Sequence, residues 1–181
     1  MLNNIAAING GAVEAVGDYE SIATTTVGSG GTATITFSSI SGSYKHLQIR
    51  VLSNDTSGNN NNFMRFNSDT ASNYSWHYLQ GDGATATAGA STSQTAMICG
   101  KTGVTATGNG VAVIDILDYA DANKYKTIRS LSGTDYNNSN GRLFYSSGNW
   151  RSASAVTTIT LTNDSGTNFA EYSSFALYGI K

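Results

Sequence analysis

The clearest hydrophobic pattern in the chain lies at 45–52, where Leu47, Ile49 and Val51 alternate with His46, Gln48 and Arg50. A period of two marks a half-buried β-strand, so one face of this segment is expected to meet a core and the other to meet water or a partner. Similar runs of β-formers recur at 22–27, 33–37, 63–66, 74–79, 95–99, 111–117, 127–131, 143–145, 156–161 and 175–180. Turn signals stand between them, among them Gly28-Ser29-Gly30-Gly31, Gly81-Asp82-Gly83, Gly108-Asn109-Gly110 and Asp164-Ser165-Gly166. Short strands at this spacing predict an all-β fold, a two-sheet antiparallel sandwich of jelly-roll-like form. No segment has an apolar stripe long enough for a solid helix, although 119–125 has room for one turn.

Two stretches depart from the pattern. Residues 1–18 hold Ile5, Ala6, Ala7, Ile8, Ala12, Val13 and Val16, broken by Gly10, Gly11 and Gly17. That composition favours an adaptable arm over a stable helix, so the expected organisation is an N-terminal arm at 1–18 and a single β-sandwich domain at 19–181. Residues 84–95, dominated by Ala, Thr, Gly and Ser, read as a long loop or a weak edge strand. The chain has no proline, one of the devices that blunt exposed sheet edges, so its edges must be protected by loops, charge or subunit contacts.

Composition narrows the function classes. Apolar residues make up 39% and aromatic residues 10% of the 181-residue chain, enough for one core, while charged residues at 12% are about half the usual share. The surface is therefore Ser, Thr, Asn and Gly, as in secreted or virion β-proteins. A net charge of -2 gives no footprint for nucleic acid, which is bound by clustered Lys and Arg. The first residues lack a basic start and a long apolar run, so neither a signal peptide nor a membrane span is expected, and synthesis is expected in a cytoplasm. Matches to Asn-x-Ser/Thr at Asn54, Asn73, Asn137 and Asn163 then follow from composition alone. Cys99, the only cysteine, sits in a strand-like run and reads as a small buried hydrophobe.

Four segments carry a family resemblance: Tyr44-Lys45-His46-Leu47-Gln48-Ile49-Arg50; Arg65-Phe66-Asn67 with Asn73-Tyr74; Ile114-Asp115-Ile116-Leu117-Asp118-Tyr119-Ala120 with Asn123-Lys124-Tyr125-Lys126-Thr127; and the terminal Ser173-Ser174-Phe175-Ala176-Leu177-Tyr178-Gly179-Ile180-Lys181. Together they resemble a group of small virion structural proteins of tailed bacteriophages, notably phages of marine and freshwater bacteria. Members often carry a proline where Ser41 stands and a glycine where Ser68 stands, departures that bear on turn geometry rather than fold. The resemblance implies a decoration or tail-fibre-like role on a virion without fixing its location on the particle.

Candidate chemistry is sparse. His46 and His77 are the only imidazole bases for a hydrolytic triad, and both read as strand surface or rim residues. Carboxylate pairs for a glycosidase would be Asp115 with Asp118, or Glu20 with Glu171, but ion pairing and turn capping account for them more simply. Asp118, Asp121 and Asn123 come nearest to a calcium loop, yet lack its glycine and terminal glutamate. The glycines at 28–31 precede a strand rather than a helix, which excludes a phosphate cradle. No catalytic residue, cofactor or metal site is therefore expected.

Contact residues are the better candidates. The stripe Tyr74, Trp76 and Tyr78 reads as core, while Tyr136, Phe144, Tyr145 and Trp150 lie near a polar loop. Trp150 beside Arg151 is a candidate contact anchor or a cup for a sugar ring, and Ile5, Ile8 and Val13 are candidate clamp residues of the arm. The expected partners are copies of the chain itself, as a homotrimer, and the major capsid protein or other virion proteins, with no nucleic acid and no membrane. The expected role is a capsid decoration or cement protein on the outer surface of the virion; the alternative is a tail-fibre or receptor-binding domain recognising a host glycan.

Overall fold

The computed structural model describes residues 18–55, 60–104, 108–136, 141–163 and 166–181. Among them are thirteen strands and no helix: β1 (Tyr19–Thr26), β2 (Thr34–Phe37), β3 (His46–Asp55), β4 (Asn61–Phe66), β5 (Tyr74–Gly81), β6 (Ala86–Gln94), β7 (Met97–Lys101), β8 (Gly103–Val104), β9 (Gly110–Ile116), β10 (Lys126–Asp135), β11 (Gly141–Trp150), β12 (Ile159–Asn163) and β13 (Ser174–Ile180). They form two sheets, a large one ordered β1-β13-β3-β9-β10-β11-β5-β6 and a small one ordered β2-β12-β4-β7, with β8 a short parallel addition to β3. All other pairings are antiparallel. The all-β, two-sheet antiparallel sandwich expected from the strand runs is the fold of this chain.

Period-two alternation decides what lies between the sheets. On the large sheet Leu47, Ile49 and Val51 of β3, Ala112, Ile114 and Ile116 of β9, Ile128 of β10, and Phe175 and Leu177 of β13 are buried. On the small sheet Ile35 and Phe37 of β2, Met64 and Phe66 of β4, and Ile159 and Leu161 of β12 join the same core cluster. Each such side chain contributes roughly 1.5–3 kcal/mol through burial, which makes the register of these strands costly to shift. Cys99 is also fully buried, its Sγ 3.3 Å from the Asn62 carbonyl, and burial pushes the thiol pKa up, in keeping with a small core hydrophobe.

The small sheet closes onto the large one along β7. The Ser130 hydroxyl donates to the Cys99 carbonyl at 2.6 Å and the Ser146 hydroxyl to the Ile98 carbonyl at 3.3 Å, so carbonyls of a strand with no sheet neighbour on that side are still satisfied. Gly148 of β11 permits the approach, since a Cβ there would lie 2.8 Å from the Met97 sulfur. Beyond the apolar core the interior turns polar: Asn62 and Asn163 face each other across β4 and β12, and the buried Asp55 carboxylate accepts from Asn60 Nδ2 at 2.6 Å and Thr102 Oγ1 at 3.1 Å.

Several elements differ from the sequence expectation. The 84–95 stretch is the edge strand β6 of the large sheet, one of its two expected forms. The run expected at 156–161 starts as strand only at Ile159, because the Val156 amide donates instead to the Tyr119 carbonyl at 2.9 Å. β11, expected only at 143–145, extends through Ser146, Ser147, Gly148 and Asn149 to Trp150, which β10 and β5 hold in the ladder from either side. That extension places Trp150 on the inward face, where it is 3% exposed, stacked on Tyr74 at 6.3 Å and edge-on to Phe66 at 5.6 Å.

Two predictions follow from the turn after β4. Ser68 lies at φ 56°, in the left-handed region where a Cβ is disfavoured. Ser68→Gly is therefore expected to raise stability by about 0.5–1 kcal/mol, read as a shift in the urea midpoint; an unchanged or lower midpoint would contradict it. Asp69 in the same turn accepts from Asn73 Nδ2 at 2.9 Å and from the Trp150 indole at 2.7 Å. These bonds, Asn73 foremost, hold its carboxyl below the ordinary value of 3.8. A depressed folded-state pKa contributes stability that is present above the unfolded value and lost as pH falls through the folded one. The urea midpoint is thus expected to decline below about pH 4, and Asp69→Asn to reduce that acid slope while leaving neutral-pH behaviour cooperative.

Candidate interaction face

The outward face of the large sheet follows from the same alternation that builds the core. With Ile114 and Ile128 turned in, Val113 and Leu131 must point out, and direct cross-strand pairing aligns them in a row: Arg50 of β3, Val113 of β9, Leu131 of β10, Tyr145 of β11, Leu79 of β5 and Ala88 of β6. A second row runs beside it through Leu52, Val111, Gly133, Leu143, Gly81 and Ala86. Leu52, Val111, Val113, Leu131, Tyr145, Leu143 and Leu79 are all exposed, with Leu79 at 62% and Leu143 at 64%. Seven large apolar side chains on one face of one sheet form a contiguous patch, the usual mark of an interaction site.

A polar row borders this patch: Gln48, Asp115, Arg129, Ser147, His77 and Ala90. Its charges are matched within the chain, since Arg129 Nε lies 3.0 Å from Asp115 Oδ2 and Gln48 Nε2 donates to Asp115 Oδ1 at 2.9 Å. Arg50 stacks over the Tyr178 ring at 4.8 Å and donates to Gln48 Oε1 at 3.0 Å. The face thus has an apolar centre and a charge-matched rim, the division seen in protein–protein contacts. Near its β6 end an open depression of about 500 Å³ is lined by Leu79, Ala88, Ala90 and Tyr145, with His77 and Ser147 at its polar side.

The residues singled out by sequence are scattered over the fold. Trp150, expected as an exposed anchor, lies in the core with its indole bonded to Asp69, whereas Arg151 is exposed and donates to the Ser72 carbonyl at 2.8 Å. Ile5, Ile8 and Val13 lie outside the described residues. Of the aromatic group near the polar loop, Phe144 is buried and stacked on Tyr78 at 5.0 Å, and only Tyr145 belongs to the outward patch. The stripe Tyr74, Trp76 and Tyr78 faces inward as expected, Trp76 stacking on Tyr78 at 5.8 Å.

The weighed chemistry sits apart from this face or is tied into pairs. His46 Nδ1 accepts from the Asp118 amide at 3.0 Å, while His77 stands on the outward face. Asp115 is engaged by Arg129, and Asp118 by Lys124 at 2.7 Å. Glu20 and Glu171 lie toward opposite ends of β1, the former bonded to the Tyr44 hydroxyl at 2.8 Å and to Lys181 at 3.0 Å. In the turn at Asp118, Asp121 and Asn123 the Lys124 ammonium contacts both carboxylates, at 2.7 and 3.3 Å; it holds Asp118 below its ordinary value, while the Asn123 N–H, and after it Lys124, hold Asp121 below its own. Lys124 thus sets a positive charge of the chain's own between these two carboxylates. Lys126, fully buried behind it, donates to the carbonyls of Asp121, Lys124 and Ala153.

No protein-family model, curated protein or solved structure matches this chain. Calcium at millimolar concentration, or a chelator, is expected to leave the thermal midpoint unchanged, because binding would have to displace Lys124. A calcium-dependent rise in the midpoint would contradict that geometry.

Proposed function

We propose that this chain is a structural protein of a bacteriophage virion, a capsid decoration or cement protein that stabilises the shell by packing its outward sheet face against neighbouring subunits. The observation that carries the reading is the double row of seven exposed apolar side chains with its charge-matched rim. Stabilisation would come from modest contacts repeated by symmetry, the expected assembly being a homotrimer seated on the major capsid protein.

The strand order supports a jelly-roll reading. Taken in chain order, β1, β2, β3, β4, β7, β9, β12 and β13 give the sheets β1-β13-β3-β9 and β2-β12-β4-β7, an eight-strand double-sheet frame of the kind shared by viral capsid and lectin domains. On this reading β5–β6 and β10–β11 are two hairpins inserted into that frame, which widen one sheet and carry Leu79, Leu131, Leu143 and Tyr145 of the patch.

A tail-fibre or receptor-binding role is the second reading, favoured by the depression beside Tyr145, where an aromatic ring adjoins the polar groups of His77 and Ser147. Copy number in purified particles separates the two: on the order of hundreds per virion supports decoration, and about a dozen supports a tail location. Leu131→Lys, at the centre of the patch, is expected to abolish particle association while leaving stability within about 0.5 kcal/mol, since Leu131 is solvent-facing in the chain alone. Retained association by this variant would sink the proposed contact face. Glycan binding lost on Tyr145→Ala would move the function to the second reading.

A further inference from the structure

Among the described residues the strand order of the two sheets ends on four edge strands, and three of them are closed to further pairing. β1 carries Glu20, tied to Tyr44 and Lys181, and its register shifts between Ser21 and Ala23. β2 is only four residues long. β7 has its Ile98 and Cys99 carbonyls taken by Ser146 and Ser130, and Arg65 Nε donates to the Thr95 carbonyl just before it at 2.9 Å. Short length, charge, irregularity and capping are the devices by which sheets avoid edge pairing.

β6 has none of these over most of its length. It runs nine residues without charge or proline, and its register against β5 breaks only near the end, between the pairs Tyr74–Gln94 and Trp76–Ser91. From Ala86 to Ser91 the pairing with β5 is regular, and no side-chain hydrogen bond among the described residues reaches the backbone of these six positions. The N–H and C=O groups on the open side of β6 are thus a pairing template, on a strand whose side chains Ala88 and Ala90 are exposed.

We infer that β6 pairs with the β6 of a second copy, antiparallel about a two-fold axis, so that two large sheets join edge to edge. The occupant is argued from charge and closure. Antiparallel self-pairing sets Ala, Thr, Gly and Ser against one another, so no like charges meet. A β6-to-β1 contact would instead set this edge against Glu20 and a bulge. Two-fold pairing buries both open edges at once and closes this seam at two copies, leaving the outward face free for the contacts of the proposed homotrimer.

Size fits a reversible contact. Pairing of residues 86–90 about Ala88, which keeps like faces together, gives about five backbone hydrogen bonds, the complement of roughly 500–1,000 Å² of interface at one bond per ~100–200 Å². That is the low end of specific interfaces, so the dimer is expected to exchange with monomer in solution and to be consolidated on the particle. Joining the sheets also continues the row Val113, Leu131, Tyr145, Leu79 and Ala88 into its symmetry mate, which doubles the face available to one flat partner. In this last respect the inference rests on the assembly reading above, with the second copy named as the partner.

The test is sedimentation velocity on the full chain across the micromolar range, with Ala88→Lys and Ala90→Lys as edge variants whose exposed positions preserve folding. A concentration-dependent dimer that either variant weakens about tenfold or more supports the pairing. Single-cysteine variants at Ala86, Thr87, Ala88, Ala90 and Ser91 then locate the seam, because residues near a two-fold axis cross-link to their own copies under mild oxidation. Gly89 is left out, since a Cβ there would lie 2.6 Å from the Tyr78 ring, and the buried Cys99 does not compete. Leu131→Cys is the control for face-to-face packing. A strict monomer, an oligomer indifferent to both lysine variants, or cross-linking at Leu131 with none along β6 would each overturn the inference. If Leu131→Lys still abolishes particle association in that case, the proposed function stands and only the β6 pairing falls.

Discussion

The constraint on which the rest of this structure depends is a mismatch of width between two sheets that share one core. Eight strands in a row span about 34 Å at ~4.8 Å per interval, whereas the four that cover them span about 14 Å. Beneath the small sheet the interior is dense with Ile, Leu and Phe. Past β7 that cover ends, and the inward face is closed by stacked aromatics, Trp76 on Tyr78 and Tyr78 on Phe144. The opposite face of the same strands has no cover among the described residues, yet carries leucine, valine and tyrosine among its polar residues.

Strand periodicity makes those two faces inseparable. Each residue that turns into the core hands its neighbour to the outside, so the apolar outward rows reflect side-chain choice at positions the core does not dictate. Ser130, Ser132, Ser146 and Gly148 occupy inward positions of β10 and β11, where β7 must lie close, while Leu131, Leu143 and Tyr145 stand among the outward ones. Leu131, Leu143 and Tyr145 thus stand outward, although Ile128, Phe144 and Trp150 of the same strands are buried. Folding alone does not account for that, because exposed leucine stabilises nothing in an isolated chain, and the proposed contact role does.

Polar groups are used locally to finish edges and turns. Ser130 and Ser146 cap the carbonyls of β7, Asp69 receives the Trp150 indole, and Lys124 and Lys126 bind the turn that follows β9. These bonds are satisfied inside the chain, and among the described residues the outward face of the large sheet and the open side of β6 keep capacity for contact.

The amino-acid sequence by itself determined the fold class, through the alternation at β3 and the spacing of apolar runs and turns, because a period of two admits few arrangements. It also determined that Cys99 and the stripe at Tyr74, Trp76 and Tyr78 belong inside, since both lie in strongly patterned strands. It left Trp150 outside and Tyr145 unplaced, because Ser146, Ser147, Gly148 and Asn149 have little strand propensity of their own. Only the tertiary structure, by hydrogen-bonding β11 between β10 and β5, carried the alternation through those residues and so decided which aromatic is core and which is surface. Strand neighbours decided the apolar patch in the same way: its seven residues come from five separate strands, and no reading along the chain brings them together.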